Sequence, residues 1–212
     1  MVIGKSFLNR INFYFRVLII LFFFNIALLG QSVHSYNSEP KEFITELVND
    51  ALRILADQNL SEKSKSEQIT KIALSYIDIN ALGLYSLGDV RKTISQQQLE
   101  QYQSLFQKYF IKSLNSRLKD YSKQKIEVLG YEILSENYTM VNSKILANDK
   151  NPEIKVDWRV YTKNKDNPII RDLVVEGLSL ARTQKEEFGS ILAANENQIE
   201  NLFEKLKNYI NN

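Results

Sequence analysis

Three carboxylates define the acid–base chemistry this chain could perform. Asp157, Asp172 and Glu176 lie in or beside strand-like segments. Asp157 alternates toward the solvated side, whereas Asp172 and Glu176, four residues apart, fall on one face of an extended chain. Two acids on one sheet face, with Arg171 and Arg182 close in sequence, are the equipment for proton transfer inside a cavity, as in small cone-shaped α+β isomerases. The same residues also make a salt-bridged strand end with a helix-terminus contact, since structural ion pairs imitate catalytic ones. Other chemistries have less to draw on. The chain has no cysteine and a single histidine, His34, so Cys-His and Ser-His-Asp sites and the usual zinc ligands are lacking after that position. The Asx-rich turns at 149–151 and 166–167 do not have the spacing of a calcium loop. Gly83 and Gly88 are not a phosphate loop, because no strand precedes them and no Lys-Ser/Thr follows. Neither a metal nor a cofactor is expected.

The elements that must hold these residues follow from periodicity. Residues 38–59 predict a helix capped by Ser38, with Pro40 in its first turn and an apolar face from Phe43 to Leu55. Ser64 to Glu67 forms a capping box for a second helix that stops near Asp78. Gly83 and Gly88 then limit residues 79–90 to one or two short helices. Ser95 to Gln98 opens a long helix whose face runs from Leu99 through Tyr102, Phe106 and Tyr109 to Leu118.

After Tyr121 the period changes to two. Residues 126–134, 138–146, 153–161 and 169–175 are strand-length segments joined by Asn/Asp/Pro turns. Short loops make them an antiparallel meander. Its third strand presents Val156, Trp158 and Val160 on one face and Asp157 and Arg159 on the other. Two C-terminal helices follow, the first beginning at Leu178 and the second capped by residues 195–198. The pattern predicts a single α+β domain: a four-stranded antiparallel meander with N- and C-terminal helices packed on one face. Periodicity favours a filled interior, because protein cores are normally close-packed.

The first 35 residues stand apart. Lys5, Arg10 and Arg16 precede a thirteen-residue apolar run, Val17 to Leu29, and Val33-His34-Ser35 offers a cleavage site. This is the layout of a secretory signal peptide, and the run is short for a span of about 20 residues. Residues 1–35 are therefore expected to be a cleaved leader and 36–212 the mature, periplasmic domain. The formal charge of the whole chain is +2, from 27 basic and 25 acidic residues; without the leader 24 basic residues face 25 acidic ones. A near-neutral chain lacks the cationic excess that nucleic acid demands.

Two blocks carry a family resemblance. "VDWRVY" at 156–161 is followed by "IIRDLVVEGLSLARTQKEEFGSIL" at 169–192, and "LGDVRKTISQQQLEQYQSLFQKYF" spans 87–110. Together they resemble the MlaC family of periplasmic phospholipid-binding proteins, also called the toluene-tolerance family. The match runs without a gap through Asp172, Val174, Glu176-Gly177, Ser179, Phe188-Gly189 and Leu192. The chain departs from the family pattern at Val90-Arg91, Gln96 and Pro168.

The resemblance implies a non-enzymatic carrier that shuttles phospholipid between outer- and inner-membrane components of an ABC-type lipid transport system. Its implied partners are an inner-membrane ABC transporter with a lipid-binding ring protein, and an outer-membrane lipoprotein–porin complex. Phospholipid would be bound cargo, its chains held in an apolar cavity between sheet and helices. The lining is expected from Val156, Trp158, Val160 and Val174 on the sheet, closed by Leu82, Leu84, Leu87, Tyr102, Phe106, Tyr109, Leu178 and Phe188. The alternatives are a small isomerase-like enzyme using Asp172 and Glu176, and a periplasmic adaptor with a filled core.

Overall fold

The computed structural model describes residues 36–118, 124–148 and 152–212. The expected leader at 1–35 and the Asx-rich turn at 149–151 lie outside the described residues.

Pro40 presets φ for the first turn of α1 (Pro40–Ala56). Glu39, not Ser38, holds the N-cap position, and its N–H is satisfied by Asn37 Oδ1 at 2.9 Å. Helix α2 (Glu62–Tyr76) also starts earlier than the Ser64–Glu67 pattern suggests, because Ser61 accepts from the Ser64 N–H and caps first. Asp78 caps α3 (Ile79–Leu87), which ends at Gly88 (φ 62°) in a short 3₁₀ turn, Gly88–Lys92. Helix α4 (Gln96–Leu118) opens with the expected reciprocal box: Ser95 Oγ accepts from the Gln98 N–H while Gln98 Oε1 accepts from the Ser95 N–H.

The α+β class holds, with a sheet of five antiparallel strands in place of four. They are β1 (Ile126–Ser135), β2 (Tyr138–Ile145), β3 (Ile154–Tyr161), β4 (Ile169–Val175) and β5 (Leu178–Ser179), hydrogen-bonded in chain order. The extra strand comes from Glu176-Gly177, where the chain folds back in a hairpin before any helix starts. Val175 pairs with Leu178 and Val174 with Ser179 across a two-residue loop whose φ values are 50° and 81°. Both central residues at positive φ make a type I′ turn, the twist-compatible way to reverse a strand in two residues. Only then does α5 (Leu180–Ala193) begin, capped by Ser179, and α6 (Ile199–Asn211) follows.

Gly177 fits this turn because it lacks a Cβ. An added methyl would meet nothing within 4 Å, so its cost is purely that of a left-handed backbone. Gly177→Ala should therefore lower the stability measured in urea by about 1 kcal/mol. An unchanged midpoint would show that the turn relaxes to another type.

Helices flank the sheet. On one face, Val141 and Val160 pack with Ile170 against Phe43, Ile44, Leu47 and Val48 of α1. A separate, larger cluster is built by helices α3 to α6: Leu82, Leu87, Tyr102, Phe106, Phe188, Leu202 and their neighbours. Phe106 lies directly on Gly83, where a Cβ would stand 2.8 Å from its ring, and Tyr102 donates its hydroxyl to the Gly83 carbonyl at 3.0 Å. Burial raises the Tyr102 pKa well above the ordinary phenol value.

Candidate functional site

A β-bulge determines what the second sheet face presents. Arg159 pairs with Asp172 but Val160 pairs with Ile170, so Arg171 is the extra residue of β4. The extra residue inverts the phase of the strand. Ile170 therefore packs on the α1 side, while Asp172 and Val174 share the opposite face with Arg159 and Asp157.

Asp172 is the centre of that face. Its carboxylate is 4% exposed and accepts from Ala181 N–H at 3.0 Å, from the Ser179 hydroxyl at 2.6 Å and from Arg159 Nη1 at 3.2 Å. It thus holds the first turn of α5 onto β4 and orients Arg159. Arg171 makes a second clamp, donating through Nε to Asp78 Oδ2 at 2.9 Å and through Nη1 to the Tyr138 hydroxyl at 3.0 Å. Its guanidinium also lies 3.6 Å from the centre of the Tyr161 ring. Burial opposes its charge, and the hydrogen bonds to Tyr138 and Asp78 outweigh it, so its pKa stands above the ordinary value. Since Asp78 also caps α3, this ion pair fastens α3 to β4.

Between these clamps opens a cleft of about 480 Å³. Its floor is Arg159, Arg171 and Asp172; Ala81, Leu82 and Tyr85 of α3 form one wall, and Ser179, Ala181 and Arg182 another. The tip of the β1–β2 hairpin, with Leu134, Ser135 and Tyr138, closes the remaining side. Tyr85 and Leu134 are both 43% exposed, giving the mouth an apolar rim. Leu82 and Ala181 belong both to the cleft wall and to the core of α3 to α6. One residue layer thus separates the polar cleft from the apolar interior.

The structure disperses the twelve residues expected to line one cavity. Leu82 alone lines the cleft. Leu87, Tyr102, Phe106 and Phe188 are buried behind it in the helical core, with Tyr109 packed against them and bonded to Gln184. Leu84 is half-buried on α3. Val156, Trp158 and Val160 face the other side of the sheet. There Trp158 Nε1 donates to Ser143 Oγ at 2.9 Å and Ser143 in turn to the Val156 carbonyl at 2.6 Å. Val174 faces the cleft side, opposite to those three, because of the bulge. Leu178 does not turn inward; it sits on the hairpin and is 68% exposed.

Asp172 and Glu176 are likewise not brought together. Glu176 lies in the turn, where its carboxylate and its N–H both bond the backbone of Lys155 on β3. Neither Arg171 nor Arg182 pairs with it. Three donors already engage Asp172, and Glu176 bonds the β3 backbone, so these two acids do not face a common cavity as a pair.

Residues that sequence reasoning missed, among them Tyr85, Leu134, Tyr138 and Ala181, converge on the cleft from elements far apart in the chain. The signal available for some of them was alternation: Tyr138, Arg159 and Tyr161 occupy the polar phase of their strands.

Comparison with known proteins supports the same fold. A solved structure of the phospholipid-binding protein from Ralstonia solanacearum, in complex with a phospholipid, superposes with a TM-score of 0.66 at 16% identity. The match covers 82% of this chain and 97% of that one. The model of the MlaC protein family matches residues 45–208. The chain belongs to the MlaC family.

Proposed function

We propose that this protein is a periplasmic carrier that binds phospholipid and ferries it between the two membranes, exchanging cargo with an inner-membrane ABC transporter and its lipid-binding ring protein, and with an outer-membrane lipoprotein–porin complex. The observation that carries this is the cleft itself, whose polar floor and apolar inner wall stand one residue layer from an all-apolar helical core. Such a gradient suits an amphiphile. Family membership and the phospholipid held by the Ralstonia relative support the same cargo. Export by residues 1–35 is part of the proposal. Among the described residues no helix is long and apolar enough to cross a membrane.

The energetics constrain how such a carrier works. Shielding acyl chains from water is worth about 0.8 kcal/mol per CH₂, so a carrier is needed for any crossing of an aqueous gap. A bilayer offers the same shielding, so the term nearly cancels on transfer. Partners must then set direction by preferring the loaded or the unloaded carrier.

Volume matters as well. A cleft of 480 Å³ lies in the lower half of the range that holds a drug-sized ligand. Two long chains need more room, which the core must supply by parting. A dry void of about 1,000 Å³ would cost about 24 kcal/mol if left unfilled, more than the whole stability of an ordinary domain. Loading and opening must therefore be coupled, the walls parting only as chains enter.

Protein purified without detergent should carry endogenous phospholipid, detectable by native mass spectrometry or by lipid extraction. Bare protein in both measurements would overturn the proposal.

A further inference from the structure

We propose that the cleft is the phosphodiester subsite of the carried lipid, with Arg182 and the free edge of Arg159 as its anion-binding groups. This rests on the carrier function proposed above and adds a headgroup contact to it.

The charge inventory of the cleft points this way. Three guanidinium groups line it, those of Arg159, Arg171 and Arg182, against the single carboxylate of Asp172. Asp172 is used up by Ala181, Ser179 and one nitrogen of Arg159, and Arg171 by Asp78 and Tyr138. Arg182 has no acceptor among the described residues, and only Nη1 of Arg159 is engaged. Lys185, one turn further along α5, stands 5.2 Å from the ring of Tyr85 at the rim and adds a further cation there, shared with Asp89. A planar guanidinium presents paired N–H groups that match phosphate oxygens.

Position gives the site its specificity for a lipid anion. The cations lie beside Leu82 and Ala181, the layer over the apolar core, and beneath the exposed Tyr85 and Leu134. A phosphate held there places the glycerol end of its chains against that layer. The asymmetry is consistent with the architecture of α5, whose Arg182 and Ala181 N–H groups are taken by Ser179 and Asp172. The anion is thus left to the side chains.

The test separates headgroup from chain. Protein is equilibrated with vesicles containing equal amounts of phosphatidylglycerol and of diacylglycerol with the same chains, and the ratio of the two lipids loaded is measured after reisolation. Wild type should favour the phospholipid. Arg182→Glu should lower that ratio about fivefold, and Arg182→Gln by less, while circular dichroism stays as in wild type. The wild-type preference should also weaken as salt rises from 0.05 to about 0.5 M.

An Arg182→Glu ratio equal to that of wild type would overturn the subsite while leaving the carrier intact. Wild type that loads neither lipid would overturn the carrier proposal and the subsite with it. Calorimetric titration with glycerophosphoglycerol and with inorganic phosphate separates the sources of the anion. Weak binding of both is the expected result, and tight binding of either free anion would assign the cleft to a soluble phosphate and overturn its role in lipid recognition.

Discussion

Replacing Asp172 with alanine is expected to cost about 3 kcal/mol of folding stability, a large part of the 5–15 kcal/mol of an ordinary domain. The carboxylate is almost fully buried and satisfies three donors at once, from Ala181, Ser179 and Arg159. Truncation leaves the Ala181 N–H and the Ser179 hydroxyl without their acceptor, at about 1–3 kcal/mol for a buried polar group. Breaking a buried ion pair adds up to about 3–5 kcal/mol. That share must be discounted here, because the Arg159 side chain is 38% exposed and rehydrates when its partner is gone. Asp172→Asn keeps one acceptor and should cost about half as much. Equilibrium unfolding in urea measures both. Hydrogen exchange provides a local readout, since amides in the first turn of α5 should lose protection before those of α4. A loss below about 1 kcal/mol for the alanine variant would mean that α5 is docked on β4 by something other than this carboxylate.

The helical half of the fold was legible because its signals are local. Ser95 and Gln98 sit three apart and cap each other as their types require. The apolar positions of α4 from Leu99 to Tyr109 do face the core. One cap slipped: Ser61, three residues before the expected Ser64, accepts from the Ser64 N–H and so takes Ser64 into the first turn. The fifth strand was missed as well. At two residues, β5 is too short to show a period, so Glu176-Gly177 looked like a strand-to-helix exit when it is a hairpin turn.

The site was less legible, and one residue explains much of the difference. Alternation through 169–175 places Ile170, Asp172 and Val174 on one face, and it would hold in a regular strand. The bulge at Arg171 breaks it, sending Ile170 to α1 and the other two to the cleft. No local sequence feature announces that bulge. Its partners are Asp78, which is 93 residues away, and Tyr138, which is 33 away, and such contacts exist only once the topology does. On β3 the apolar phase of Trp158 and Val160 packs in the cluster of α1, whereas Arg159 on the polar phase of the same strand meets the cleft. Polar residues on the phase first read as solvated carry the chemistry of the site.

Replacing Phe188 with alanine addresses what the apolar interior is for. Phe188 is 2% exposed and packs edge-on against Tyr102 and Phe106, with centroids 6.4 and 6.2 Å away, and against Tyr109 at 6.0 Å. In lipid-free protein the substitution should cost about 4 kcal/mol, the usual range for removing a buried aromatic ring. A filled, purely structural core and a loadable one then differ in their response to lipid. Any ligand that binds only the folded state stabilises it by an amount set by its concentration and affinity, and if the chains stay clear of Phe188 that amount is the same for wild type and variant. If the chains enter between α3, α5 and the sheet, they occupy the space that the lost ring vacates, and the variant gains more from lipid than wild type does. The cost of Phe188→Ala should then fall from about 4 to about 2 kcal/mol in the presence of saturating phospholipid, a coupling of the size that neighbouring groups show in thermodynamic cycles. Thermal or urea unfolding of both proteins, each with and without lipid, closes the cycle. A coupling indistinguishable from zero would place the acyl chains outside the helical core, and a carrier of this architecture would have to shield them along the cleft and its rim alone.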